Sequence, residues 1–181
     1  MPLLLVLNGP PAVGKSTLAR RYVADHPLAL DLDVDLLRGL LGRWQDDPGD
    51  AGLRARALAL AMAAEHLGAG YDVVVPQLVA RPPFLDQLEG VAAQAGAQFV
   101  EVVLSGDRDG LVQRFSERGP VEVTAEQLAE LHDRLDSFVP QRPRATRLEV
   151  VDGDVERTYR AVLNACRARS TSGSSSSNSI G

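Results

Sequence analysis

Gly9-Pro10-Pro11-Ala12-Val13-Gly14-Lys15-Ser16-Thr17 fits the pattern G-x-x-x-x-G-K-[ST]. That pattern is a phosphate loop of the Walker A type when a strand runs into it and a helix leaves it. Both flanks qualify. Leu3-Leu4-Leu5-Val6-Leu7 is an unbroken apolar run of strand length, and the residues up to Asp25 suit a helix. The glycines let the backbone curl so that successive N–H groups converge on one phosphate. The helix that starts there adds its dipole and unbonded N–H groups. Lys15 supplies a full charge for the β- and γ-phosphates, and Ser16 a hydroxyl for Mg²⁺. Of the 19 Lys plus Arg residues in the chain, Lys15 is the only lysine. A compact ammonium thus stands at the one place where the planar fork of arginine is a poor substitute.

Working outward, strand-like and helix-like segments alternate. Strands are expected at about 3–8, 28–32, 72–76, 98–104 and 147–151, and helices at about 15–25, 34–42, 53–67, 82–94, 107–118, from Thr124, and 154–169. The helix over 53–67 should bury Leu53, Ala57, Leu60, Ala61, Ala64 and Leu67, which fall at helical spacing. Gly42 to Gly52 reads as a polar loop, and Pro140 to Thr146 as another. Thr124 and Gln127 have capping-box spacing. The alternation predicts an α/β fold, a five-stranded parallel sheet with helices on both faces. One domain is expected over 1–169. The Ser- and Gly-rich stretch 170–181 lacks the apolar residues to offset ordering entropy and is expected to be disordered.

Bulk properties narrow the function classes. The chain has 181 residues and a net charge of −5. An acidic balance argues against sequence-independent nucleic-acid binding, which needs a dense basic face. The lone Cys166 has no internal disulfide partner, so a reducing, cytoplasmic setting is expected. No apolar run approaches the roughly 20 residues of a membrane span. His26, His66 and His132 show no ligand spacing with Cys166. Nothing in the sequence sets an oligomeric state.

A second constellation bears on what the nucleotide is for. Asp33-Val34-Asp35-Leu36-Leu37-Arg38 leaves the second strand at its carboxyl end, where open α/β sheets bind ligands. Asp35 and Arg38 are three apart and share a helical face. Asp35 could accept a proton from a substrate hydroxyl, Arg38 could orient that hydroxyl or meet an anion, and Asp33 could hold a water on Mg²⁺. Helix capping by Asp33 and dipole pairing by Asp35 would explain the same carboxylates without chemistry. Gln77 and Arg81 follow the third strand on the expected acceptor side. Trp44 is placed to stack on a base or sugar, or to anchor its loop. Arg114 and Arg118, four apart before Gly119-Pro120, could close over the phosphates, since arginines stabilise charge spread in phosphoryl transfer.

These motifs together resemble the P-loop kinases of small substrates and of polynucleotide 5′-hydroxyls. The phosphate loop with Lys15 and Ser16, then Asp35 and Arg38, is similar to the kinase domain of phage polynucleotide kinase. Adenylylsulfate, shikimate and gluconate kinases carry related acidic runs. Leu111 to Gly119 resembles the lid of the phage domain, so the resemblance spans most of 3–139. It implies a P-loop NTPase fold of the nucleoside-monophosphate-kinase type with a small helical lid at about 114–139. It implies ATP and Mg²⁺, with Gly9 to Thr17 binding nucleotide, Ser16 and Asp33 serving the metal, Asp35 as general base, Arg38 as substrate clamp, and Arg114 and Arg118 as lid arginines. Arg142 and Arg144 precede the fifth strand, where such kinases bind adenine, so Arg144 is expected at the nucleotide. The implied activity is transfer of the γ-phosphoryl group from ATP to a hydroxyl of a small or nucleotide-like acceptor. A polynucleotide 5′-hydroxyl kinase is the nearest alternative. Where the phage pattern has an acidic residue after strand three, this chain has Pro76-Gln77. The same absence of a carboxylate counts against a nucleotide-hydrolysing regulatory protein.

Overall fold

The computed structural model describes residues 1–107, 110–111, 125–150 and 154–172. Five parallel strands form one sheet in the order β2-β3-β1-β4-β5, with β1 at Leu3–Asn8, β2 at Leu30–Asp31, β3 at Val73–Pro76, β4 at Gln98–Ser105 and β5 at Thr146–Glu149. The expected α/β architecture is therefore present. The helices are α1 (Lys15–Asp25), α2 (Val34–Gly39), α3 (Pro48–Gly68), α4 (Pro82–Gln94), α5 (Ala125–Phe138) and α6 (Val155–Ser172).

The central strand is buried along its whole length. Its side chains alternate between two cores. Leu3, Leu5 and Leu7 pack with residues of α1 and α6, among them Leu18, Tyr22 and Val162. Leu4 and Val6 pack with α3 and α4, through Ala59, Ala63, Leu85 and Leu88. Apolar residues on both faces are what a parallel sheet covered on both sides requires. At the amino end of the sheet Asp72 accepts from Leu3 N (2.8 Å) and from the Tyr22 hydroxyl (2.8 Å), which fixes α1 against β1 and β3. At the other end, β1 delivers the glycine-rich loop to the carboxyl edge.

Three expectations need correction. Helix α3 begins at Pro48, not Leu53, because the Asp47 carboxylate caps it by accepting from Asp50 N and proline occupies the first turn. Its buried face is Ala51, Ala55, Ala59, Ala63 and Leu67, while Leu53 is 60% exposed. Alanines four apart make a low ridge that lets the helix lie close to its neighbours, and that close approach decides which stripe faces inward. Helix α6 runs on to Ser172, three residues into the stretch expected to be disordered. Arg114, Arg118, Thr124 and residues 173–181 lie outside the described residues, as does most of the helix expected at 107–118. Among the described residues no helix is long and apolar enough to cross a membrane.

Candidate active site

The phosphate loop adopts the backbone its sequence demands. Gly9 has φ 149° and Gly14 φ 102°. A Cβ on Gly9 would lie 2.6 Å from the Leu104 carbonyl oxygen, so only glycine fits. A Cβ on Gly14 would meet nothing within 4 Å, so at Gly14 it is the left-handed backbone that selects glycine. Ala12 is left-handed as well, φ 63°, a conformation that costs an L-residue about 1–2 kcal/mol. Together with the start of α1 it builds a concavity of backbone N–H groups suited to an anion. Lys15 Nζ donates to the carbonyls of Gly9 (2.9 Å) and Pro10 (2.8 Å), which folds its ammonium back over the loop. Ser16 and Thr17 are exposed in the first turn of α1.

Asn8 holds this loop in place, and sequence reasoning missed it. It is fully buried at the end of β1. Its Oδ1 accepts from Gly9 N (2.8 Å) and Val79 N (2.9 Å), while Nδ2 donates to Val79 O (2.8 Å) and, more weakly, to Glu101 Oε1 (3.4 Å). One amide thus ties the phosphate loop to the segment after β3. Only an asparagine just ahead of the first loop glycine hinted at this. Asn8→Ala would strand three buried backbone groups, and each such loss costs about 1–3 kcal/mol. We expect it to lower stability by about 3 kcal/mol, measured by urea unfolding. A loss below about 1 kcal/mol would mean that the segment after β3 relaxes to bond elsewhere.

Asp33, Asp35 and Arg38 meet on α2. Asp33 Oδ1 caps the helix, accepting from Asp35 N (2.9 Å) and Leu36 N (3.3 Å). Asp35 pairs with Arg38 at 3.2 Å. The Arg38 guanidinium lies 4.6 Å from the centre of the Trp44 ring, so Trp44 supports Arg38 from its loop. Asp35 and Arg38 line a cavity of about 550 Å³ with Gln77, Val79 and Arg81. Arg56 of α3 and Arg134 of α5 reach the same cavity, and sequence spacing did not mark either. Val79, the residue bonded to Asn8, is part of its wall. The acidic run and the phosphate loop are therefore mechanically connected.

Arg142 and Arg144 are not brought to the phosphate loop. They line a second cavity, of about 460 Å³, with Ala97 and Phe99. Phe99 pairs with Leu4 near the start of β1, whereas the loop leaves that strand at its far end. Arg142 bonds the buried Glu101 carboxylate (2.8 Å) and also reaches Asp86 and Glu89, both at 3.3 Å. Arg142 therefore cross-links α4 to β4. The register accounts for this position of Arg144: Thr146 pairs with Val102 in the middle of β4, so residues before β5 lie toward its amino end.

For Mg²⁺, the described residues contain no group of three or more His, Cys, Asp or Glu side chains suited to a metal. The donors present are those of a cation that arrives with phosphates, since Mg²⁺ commonly takes only one or two protein oxygens. The Ser16 hydroxyl and the second carboxylate oxygen of Asp33 fit that description.

Asp31, at the end of β2, is of another kind. Its Oδ1 is buried without a hydrogen-bond partner. Burial, and then the neighbouring charge of Asp33, raise its pKa above the ordinary 3.8, while Arg20 pulls the other way. A raised folded-state pKa means that the folded form prefers the protonated acid, so ionisation costs stability as pH rises through that value. Asp31→Asn is expected to gain on the order of 1 kcal/mol at pH 7. That gain should fade as the pH falls through about 4 and be gone by about pH 3, where wild-type Asp31 is largely protonated in both states. Paired melting curves at about pH 7 and about pH 3 test this, and a variant less stable at pH 7 would refute it.

A family model described as an AAA domain matches residues 4–138. No curated protein sequence matches the chain. Among solved structures, a gluconokinase from Sinorhizobium meliloti 1021 superposes with a TM-score of 0.67 at 20% identity, over 97% of this chain and 98% of that one. The tunicamycin resistance protein of Deinococcus radiodurans gives 0.61 at 16% identity, over 91% and 95%. The Mycobacterium tuberculosis APS kinase in complex with AMPPNP and APS gives 0.61 at 16%, over 92% and 98%. At these identities the likeness is one of fold.

Proposed function

We propose, from the premise that this chain belongs to the AAA-domain family, that it is an ATP-dependent kinase transferring the γ-phosphoryl group to a hydroxyl of a small-molecule acceptor. The observation that carries the reading is the Asn8 link. A single buried side chain bonds both the phosphate loop at Gly9 and the wall of the Asp35 cavity at Val79. Donor and acceptor sites are thereby held in one frame, which is what an in-line transfer needs. The kinase names among the structural neighbours support the same reading.

In this reading the loop amides and Lys15 bind the β- and γ-phosphates of ATP. Ser16 and Asp33 would hold Mg²⁺, which neutralises phosphate charge when bound. The acceptor hydroxyl enters the cavity beside Asp35. Its oxygen bonds to the γ-phosphorus, the bond from that phosphorus to the bridging oxygen breaks, and ADP leaves with the electron pair. The hydroxyl proton passes to Asp35. Arg38, held between Asp35 and Trp44, orients the acceptor. Arg114 and Arg118 complete the proposal as lid arginines.

Incubation with γ-labelled ATP across sugars, nucleosides, hydroxy acids and amino alcohols tests the reading. Label should move to at least one alcohol class. Label released only as inorganic phosphate, whatever alcohol is added, would favour a hydrolytic role instead.

A further inference from the structure

From Ala57 to Ala64 helix α3 reads Ala-Leu-Ala-Leu-Ala-Met-Ala-Ala, eight residues with no polar side chain. About two turns of helix are therefore apolar on every side. A helix of that kind belongs inside a protein, since one on a surface keeps a polar outer face. Yet α3 is covered on one side only. Ala59 and Ala63 are buried in the core over the sheet, whereas Ala57, Leu58, Ala61, Met62 and Ala64 are exposed. Leu58 is 46% exposed and Met62 39%. Three of these residues, Ala57, Ala61 and Ala64, belong to the stripe that helical spacing assigned to the core. The sequence thus suits a cover on the outside of α3 that the described residues of a single chain do not supply.

The outer face is symmetric about its own centre. Arg54, Leu58, Ala61 and Glu65 are spaced four, three and four apart, so they fall on one line along the helix. Ala57 and Met62 flank that line. The midpoint between Leu58 and Ala61 is also the midpoint between Ala57 and Met62, and between Arg54 and Glu65. A second copy of α3 laid antiparallel about that midpoint sets Leu58 on Ala61, Ala57 on Met62 and Arg54 on Glu65, each contact occurring twice. Large apolar residues meet small ones, and opposite charges meet at both ends. Laid parallel, the same helices would bring arginine to arginine and glutamate to glutamate. Arg54 reaches Asp50 one turn back at 3.5 Å, while Glu65 has no ion-pair partner among the described residues.

We propose that α3 is a homodimer interface, its outer face packed antiparallel on the same face of a second copy across a two-fold axis between Leu58 and Ala61. Spacing of three and four inclines two such helices by about 20°. Alanines at the seam let the axes approach to about 8 Å, the close end of helix packing. Between 57 and 64 no charge has to leave water. Two helices of this length bury on the order of 1,000 Å² in total, at the small end of specific interfaces. The dimer should therefore be reversible and depend on concentration. Arg56 turns the other way, into the cavity beside Asp35, so that cavity stays open in both copies. The proposal does not depend on the chemistry performed there.

Sedimentation equilibrium on the full chain, from about 1 to about 200 µM, tests it. The wild type should pass from one chain to two and stop there, since a two-fold contact closes on itself. Leu58→Glu and Ala61→Glu should each raise the dimer Kd by about 10²-fold or more. In dilute, monomeric solution both should melt near the wild-type temperature, because both positions are exposed. Arg54→Glu and Glu65→Arg should each weaken the dimer about tenfold, and the two together in one chain should restore most of the affinity. That restoration distinguishes the antiparallel seam from unspecific association of an apolar face. A chain that stays single up to about 200 µM would overturn the proposal and leave α3 to a different protein. A dimer untouched by Leu58→Glu and Ala61→Glu would overturn it by placing the contact elsewhere. Growth beyond two chains, or a double charge exchange that binds no better than the single ones, would overturn it as well.

Discussion

Asp35→Asn is expected to lower turnover by about 10²- to 10⁴-fold, the usual worth of a positioned general base. Asparagine keeps the size of the side chain and one accepting oxygen. It loses the capacity to take the acceptor's proton. It also loses the ion pair with Arg38, seen at 3.2 Å. That pair is largely exposed on the Asp35 side, so its loss should cost at most about 1 kcal/mol of stability. ATP affinity should hardly change, because Lys15 and the loop amides carry it. Measuring kcat, ATP Kd and melting temperature on the one variant separates the cases. Normal turnover with a lowered melting temperature would reduce Asp35 to a structural partner of Arg38. The capping role of Asp33 makes it a useful control: Asp33→Asn retains the Oδ1 that accepts from Asp35 N and Leu36 N, so the helix should survive. A rise in the Mg²⁺ requirement of Asp33→Asn would mark its other oxygen as the one facing the metal.

Lys15→Ala is the second large effect. With ATP and Mg²⁺ at 100 times Kd, the wild type should gain about 2.7 kcal/mol of stability by mass action. The variant should lose most of that gain. It removes the one full charge that the loop offers the β- and γ-phosphates, and nothing else in the chain is a lysine. Its melting temperature without ATP should move little, since Lys15 is only partly buried. Thermal-shift titrations of both proteins measure the difference. Equal stabilisation of wild type and variant by ATP would place the nucleotide away from this loop.

What was legible in the sequence follows from which interactions are local. The phosphate loop is a contiguous segment whose backbone shape is set by its own glycines, so it could be read residue by residue. Asp33, Asp35 and Arg38 lie within a turn and a half of one another, and their placement on α2 follows from helical spacing. Asn8, Glu101 and Arg142 are assembled across the sheet, from β1, β4 and the approach to β5. No spacing rule marks residues 93 or 41 positions apart. Arg56 and Arg134 were hidden for the same reason, since each is one more arginine along a helix until the fold turns it to the cavity. The stripe on α3 failed differently. Periodicity weighs leucine as the natural core residue, but close packing against the sheet and α4 selected the alanines. Trp44 reads either as a stacking platform or as a loop anchor, and neither reading foretells the Arg38 guanidinium over its ring.

The alanine ridge of α3 bears on how such a protein could change its diet over evolutionary time. Ala59 and Ala63 are completely buried, with no room for a larger side chain without movement of the helix. The same helix carries Gly52, Leu53, Ala55 and Arg56 to the cavity beside Asp35. A single added methyl group on the ridge, one or two turns away, would lift or tilt that wall and re-aim Arg56. The phosphate loop, anchored through β1 and Asn8, would keep its shape. If the cavity takes the acceptor as proposed, divergence in acceptor choice can begin at positions that touch no ligand, and surveys of variation confined to the cavity lining would overlook where the change began.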